Sequence, residues 1–305
     1  MAPDRVDTTG AAVVGDVVSF LDGCYPPAWA ADWDRVGLVV GDPGAAAGRV
    51  HFVIDCVAET VAEAIVNGAD MIVAHHPLLL RGVSSVAATT YKGRIIHDLI
   101  KSDIALFVAH TNADHASPGV SDSLARRLGL GDLRPLRPEA SEVSAGTSVA
   151  EVRAAGVRAD AAGRGAGRIG RLPAPMTFGA FTVAVATSLP PTAAGIRAAG
   201  DPDRPVVTVA VCGGAGDTYL DDAVRGGVDA YVTADLRHHP ASEHLAGGGP
   251  ALIDAPHWAT ERPWLDDVAG ALRDRTGLAV TVSDLATDPW TSHVPSALTA
   301  KEQRL

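Results

Sequence analysis

Apolar residues recur along this chain in two alternating rhythms. Residues 11 to 23 carry apolar side chains at helical spacing, the run VHFVID (50 to 55) reads as a buried strand, and ETVAEAIVNG after it reads as a helix stopping at Gly68. DMIVA (70 to 74) is a second buried strand. The same order then repeats, with a helix over GRIIHDLIK (93 to 101), a strand over IALFVAH (104 to 110) and a helix over VSDSLARRLGL ending near Gly129. Strands that alternate with helices predict an α/β fold in which a parallel or mixed sheet is covered on both faces.

Residues 131 to 175 break the rhythm. They are rich in Gly, Pro, Ala and Arg, and we read them as a connector with one irregular piece. TFGAFTVAVATSL (177 to 189) fits either element: its Val and Thr favour a strand, whereas Phe178, Phe181 and Val185 form a helical stripe, and the helix is the expectation. From VVTVAVCGG (206 to 214) onward the alternation resumes.

The second half echoes the first. Without gaps, AIVNGADMIVA (64 to 74) aligns with AVRGGVDAYVT (223 to 233), matching a helix end, a Gly turn, an aspartate and a buried strand. HTNAD (110 to 114) and HWATE (257 to 261) each follow an apolar strand and each place a carboxylate four residues after a histidine. Two matches in the same order favour a duplicated lobe. The expected division is a first lobe over residues 1–133, then a connector and second lobe over 134–305.

Composition narrows the function without deciding it. A net charge of −11 opposes non-specific binding to nucleic acid or an anionic membrane. No apolar stretch approaches the roughly 18 residues that a spanning helix needs, and the first residues lack a secretory pattern, so a cytoplasmic location is expected. Cys24, Cys56 and Cys212 are odd in number and far apart, which argues against a disulfide framework or a thiolate zinc site. Histidine and carboxylate must hold any metal.

Those residue types concentrate at three predicted strand ends. AHHP (74 to 77), HTNAD and HWATE would face one crevice in a doubly covered sheet, bringing His75, His76, His110, Asp114, His257 and Glu261 together. The doublet reads either as a ligand pair or as a turn whose rings meet only water and backbone. As a group, the six donors suit zinc, manganese, iron, cobalt or nickel. Five or six ligands suggest two divalent ions bridged by a carboxylate. CGGAGDTYL (212 to 220) could cradle a phosphate, although it lacks the lysine of a nucleotide-binding loop and a tight strand-to-helix turn is the plainer reading. His238 and His239 could line the cleft in the second lobe or sit exposed at a helix start, and Cys212 reads as a small buried hydrophobe.

The segments WDRVGLVVGDP, ADMIVAHHPLLLRG, AHTNADHASPGVSDSLARRLGL, GRIGRLP, VAVCGGAG and DAPHWATE resemble, in this order over roughly residues 12 to 290, the Nif-three-like family of dinuclear metal-centre proteins. Members carry the description of type 2 homologues of GTP cyclohydrolase I. The resemblance implies two similar α/β lobes with mixed sheets facing each other across a metal cleft, in the compact form without an inserted middle domain. It implies that His75, His76, Asp114, His257 and Glu261 hold two divalent ions, with Glu261 bridging and His110 a supporting or optional ligand. It further implies a homohexamer built as a trimer of dimers. Arg35 stands where the family usually has asparagine and Val57 where it usually has threonine, so both are candidates for an altered substrate pocket. The expected activity is metal-dependent hydrolysis, of GTP at its guanine ring with release of formate or of another nucleotide or phosphoester. The rival expectation is a non-enzymatic ring that stores, delivers or senses metal, or serves as a scaffold.

Overall fold

The computed structural model describes residues 12–139 and 163–294. The first unit runs α1 (Val14–Cys24), β1 (Gly37–Val40), β2 (Arg49–Asp55), α2 (Ala58–Val66), β3 (Met71–His76), α3 (Tyr91–Lys101) and β4 (Ala105–Val108). A short α4 (Thr111–His115) and α5 (Val120–Arg127) follow, then the long strands β5 (Gly131–Pro138) and β6 (Gly165–Thr177). The second unit repeats the plan as α6 (Phe178–Ser188), β7 (Arg197–Ala199), β8 (Pro205–Ala215), α7 (Leu220–Gly226), β9 (Ala230–Ala234), α8 (His238–Ala246) and β10 (Ala251–Asp254). The chain continues as α9 (His257–Thr276) and β11 (Ala279–Val282).

The strands form two mixed sheets ordered β1-β4-β3-β2-β11 and β5-β6-β8-β9-β10-β7. Within them β1-β4-β3-β2 and β7-β10-β9-β8 are the same four-stranded unit, each with three parallel strands and one antiparallel edge. The aligned aspartates do the same work in both. Asp70 Oδ2 accepts from the amides of Gly48 and Arg49 at 2.7 and 2.8 Å, and Asp229 Oδ2 accepts from Val207 and Thr208 at 2.9 and 2.8 Å. Each carboxylate thereby pins the start of the neighbouring strand. Gly68 and Gly227, two residues earlier, adopt φ of 63° and 64°.

Both sheets are covered on both faces. One apolar core runs between them and takes side chains from α1, α5, α6 and α9 together with the inner faces of β2, β3, β8 and β9. A second lies between the first sheet and α2 and α3, and a third between the second sheet and α7 and α8. Every strand flanked this way must be apolar on both faces, which explains the uninterrupted runs in the sequence. The helix expected over TFGAFTVAVATSL is α6: Thr177 accepts from the Ala180 amide at 3.3 Å, and Phe178, Phe181 and Val185 are its buried face.

Residues 131 to 175 correct the sequence reading. Where a connector and an irregular piece were expected, β5 and β6 pair antiparallel along the edge of the second sheet, and the remainder of the stretch, 140–162, lies outside the described residues. These strands escape pattern reading because the buried stretch of β6 begins Gly-Ala-Gly-Arg, offering no alternating apolar side chains, and β5 carries two prolines that an edge strand tolerates. β11 crosses back to pair with β2, so a cut at residue 133 leaves one strand of the first sheet in the second piece.

Candidate metal centre

The loops and helix starts that follow β3, β4 and β10 converge between the sheets. His75 and His76 are the last two residues of β3, and their rings stand 5.0 Å apart. His110 precedes α4 and Asp114 lies inside it, while His257 and Glu261 sit one turn apart on the first turns of α9. Glu261 is the hub. Its Oε1 lies 3.0 Å from His257 Nε2 and 3.4 Å from His75 Nε2, and its Oε2 lies 3.1 Å from His76 Nε2. Asp114 Oδ1 approaches His75 Nε2 at 3.6 Å. Two sets of donors lie close enough to share an ion: His75, His76 and His110, and His76, His257 and Glu261.

Every one of these imidazoles is held by its far nitrogen. His75 Nδ1 meets Ala109 O at 2.9 Å, His76 Nδ1 meets Asp55 at 2.7 Å, His110 Nδ1 meets Asp34 at 2.9 Å and His257 Nδ1 meets Asp235 at 2.6 Å. An acceptor on Nδ1 orients each ring and, when a cation takes the place of the Nε2 proton, would keep the remaining proton on Nδ1 and raise the basicity of Nε2 as a ligand. The anchors are anchored too. Asp34 accepts from the Thr111 backbone at 3.0 Å and Asp55 from the Thr287 hydroxyl.

A metal fits this donor set. His75 Nε2, Asp114 Oδ1 and Glu261 Oε2 are buried side-chain atoms without a hydrogen-bond partner, and all three belong to the cluster. Orphaned polar atoms cost roughly 1–3 kcal/mol each, so three in one place ask for a ligand. The charges agree. Burial alone would lift the Glu261 carboxyl, but His257, His76 and His75 carry it well below the usual range; at Asp114 burial wins and the carboxyl is raised. Burial opposes charge on His76, yet Glu261 and Asp55 bring it up to about 10, and Glu261 leads the causes that take His257 to about 11. The pocket holds positive charge where the imidazole nitrogens face Glu261, the position a cation would occupy.

The glycine-rich turn after β8 serves this centre. A side chain at Gly214 (φ 67°) would put its Cβ 2.4 Å from Glu261 Oε1 and 3.1 Å from His257 Nε2, so only glycine lets the turn pass behind the bridge. Thr260 Oγ1 accepts from the Gly214 amide at 2.9 Å and locks the two together. The turn is thus a wall of the centre. Burial pushes the Cys212 thiol up to about 12, which leaves it an inert hydrophobe.

Of the two readings of His238 and His239, the structure shows the exposed helix start. Strand register puts Ala234 and Asp235 of the second unit where His75 and His76 stand in the first, because β3 and β9 align residue for residue. His238 starts α8 and lines a cavity of about 380 Å³ that shares Arg197 and Asp254 with the one beside the centre; neither ring lines the latter. Arg35 and Val57 line neither cavity. Arg35 turns onto the carbonyls of Asp32 and Asp34, and Val57 caps α2 through its backbone to Thr60. Sequence reasoning missed the anchors Asp34, Asp55 and Asp235. Two signals could have found them: Asp55 ends the strand beside the histidine doublet, and Asp235 falls on His76 when the internal alignment is extended by two residues.

A cavity of about 750 Å³ opens against the centre, with His76, His110 and His257 in its wall beside Arg197, Trp290 and His293. The family described as Duf34/NIF3 (NGG1p interacting factor 3) matches residues 12–289. A Streptomyces coelicolor protein named GTP cyclohydrolase 1 type 2 homolog is 50% identical, covering 94% of this chain and 96% of its own. A Mycobacterium tuberculosis protein of the same name is 39% identical over 91% of this chain and 96% of its own. Among solved structures, a Bacillus cereus protein related to NIF3 superposes with a TM-score of 0.80 at 26% identity, covering 92% of this chain and 99% of its own. A Staphylococcus aureus hypothetical protein gives 0.80 at 27%, covering 93% and 100%.

Proposed function

The chain belongs to the Duf34/NIF3 family, and from that premise we propose that it is a metal-dependent hydrolase whose centre holds two divalent ions between the lobes. The observation that carries the reading is that three buried side-chain atoms without hydrogen-bond partners, His75 Nε2, Asp114 Oδ1 and Glu261 Oε2, belong to one cluster of histidines and carboxylates beside a large cavity. His75, His76, His110, Asp114, His257 and Glu261 would hold the ions, with Glu261 placed to serve both because its two oxygens face different imidazoles. Bound there, such ions polarise the bond under attack and activate water near neutral pH.

The chain's own residues supply the rest. The Nδ1 anchors keep each imidazole oriented through turnover, Gly214 and Thr260 hold the Glu261 turn in place, and the cavity positions the substrate next to the donors. A nucleotide or another phosphoester is the substrate class in this reading, GTP being the one contained in the relatives' name. Assembly as a homohexamer belongs to the same reading and is checked by sedimentation.

Elemental analysis of the purified protein should return close to two equivalents of a first-row metal. The loaded protein should turn over at least one compound from a panel of nucleotides and phosphoesters, with Asp114→Ala as the blank, and lose that activity on chelation. Folded protein that stays metal-free under replete conditions sinks the proposal. Metal that exchanges freely with no turnover on any panel member would instead make the protein a carrier.

A further inference from the structure

We infer that Trp290 sets the specificity of the cavity beside the centre: its indole is the platform on which a flat ring of the substrate stacks, so that among phosphoesters the site selects those that also carry an aromatic ring, as nucleotides do. The platform rests on the hydrolase reading for the occupant's being a substrate, and its geometry belongs to the wall alone. Every carboxylate in that wall is already engaged. Asp55 meets His76 Nδ1 and the Thr287 hydroxyl, Asp235 meets His257 Nδ1, Asp254 meets the Arg197 guanidinium, and Asp288 accepts from the Trp290 amide at 2.8 Å. His76, His110, His257, His293 and Arg197 line the same wall, so both signs of charge are present and charge does not pick the ligand. The indole is what remains uncovered. Trp290 is 69% exposed, whereas Trp258 in the same wall is buried.

Trp290 stands on a fastened segment. Beyond β11, Arg262 Nε donates to the Ser283 carbonyl at 2.9 Å, the Ser283 hydroxyl to Glu63 at 2.5 Å and the Thr287 hydroxyl to Asp55. Asp288, itself buried, then holds the turn that presents the indole. A platform set in place beforehand spares the ligand the cost of ordering it. Asp55 also holds His76, so one carboxylate ties the segment to the metal donors. Donors and indole share one cavity of about 750 Å³, room for a single ligand of nucleotide size with its phosphate at the donors and its ring on Trp290. Any base offers a flat π face, and stacking on an aromatic side chain strengthens binding by about tenfold.

GMP and ribose 5-phosphate are matched probes, since they share the sugar phosphate and differ in the ring. Titration calorimetry on the full chain, loaded with metal and with the metal content measured on the same sample, should give GMP the tighter binding by about tenfold or more. Trp290→Ala should bring GMP to the level of ribose 5-phosphate and leave the latter and the metal content unchanged, while Trp290→Phe should keep most of the preference. GMP should also quench a part of the tryptophan emission that Trp290→Phe removes. Equal binding of the two probes, a preference that survives Trp290→Ala, or no binding of GMP at millimolar concentration overturns the inference. Because binding is read without turnover, the two readings fail separately. Discrimination through Trp290 with no turnover of any panel member defeats the hydrolase and leaves the platform, whereas hydrolysis of ring-free phosphoesters as fast as nucleotides defeats the platform and leaves the hydrolase.

Discussion

The two halves of the molecule share one plan and divide one task. In each, a helix, an antiparallel edge strand and three parallel strands follow in the same order, and an aspartate two residues past a left-handed glycine pins the neighbouring strand. At the strand ends the halves part. The first offers imidazoles, His75 and His76, where the second offers Ala234 and the carboxylate Asp235. The second returns a histidine and a fully buried glutamate from α9, whereas the matching segment of the first opens the short α4 with His110 and Asp114. A duplicated scaffold whose two copies had stayed alike would hold two equal sites. Because the strand ends differ, the donors among the described residues form one asymmetric cluster drawn from both halves, with Glu261 facing imidazoles of each.

Removing the shared point should have the largest effect. Glu261→Ala deletes the carboxylate that faces three imidazoles, and elemental analysis should show the loss of at least one metal equivalent from protein that stays folded by circular dichroism. Retention of both equivalents would mean that the halves do not meet at Glu261. The next largest effect is on the joint itself. Arg168 of β6 is fully buried, donates to Asp122 on α5 and to the carbonyls of Gly165, Gly167 and Ala116, and so ties the second sheet to the turn after Asp114. Arg168→Met leaves Asp122 buried and unpaired and should cost about 3–5 kcal/mol in urea unfolding. The double variant with Asp122→Leu should recover part of it.

The paired aspartates sharpen the comparison at smaller scale. Asp70→Ala and Asp229→Ala each strand two amides and should each cost about 1–3 kcal/mol by chemical denaturation. The Asp229 change should be the larger, since its bonds are the more buried. A negligible loss at either site would break the claimed equivalence. The smallest effect distinguishes how the halves hold their extra strands. One residue before the aligned stretch, Glu63 on α2 meets Ser283 just past β11 at 2.5 Å, and Asp222 on α7 meets Arg137 of β5. Burial alone would raise the Asp222 carboxyl, but bonds from Arg137 and Arg225 overcome it and hold the carboxyl below its usual value. A depressed carboxylate adds stability that is present above the unfolded value and fades as pH falls through the folded one. The melting temperature of Asp222→Asn should therefore lie below that of the parent at neutral pH and converge with it in acid.

Much of this architecture is legible in the chain. Runs such as DMIVA and IALFVAH read as strands because burial on both faces demands apolar side chains throughout, and α6 follows from the stripe Phe178, Phe181, Val185. The donors His75, His76, His110, Asp114, His257 and Glu261 stand out because ligand types gather at strand ends. β5 and β6 were hidden, since glycines, prolines and an arginine carry no hydrophobic period and the burial of Arg168 is satisfied by ion pairing instead. Asp34, Asp55 and Asp235 were hidden for another reason. A carboxylate that orients a histidine looks, in one dimension, like any other surface aspartate.

The sequence alone determined what is local or periodic: which segments are strands or helices, that one unit occurs twice, and which side chains can bind a cation. Tertiary structure decided the pairings. Which aspartate meets which imidazole, that β11 returns to the first sheet, and that His238 and His239 stay outside the cleft all depend on distances between residues far apart in the chain. Those distances are set by strand register and by the packing of α5 and α9 between the sheets, and neither leaves a mark on the neighbouring letters.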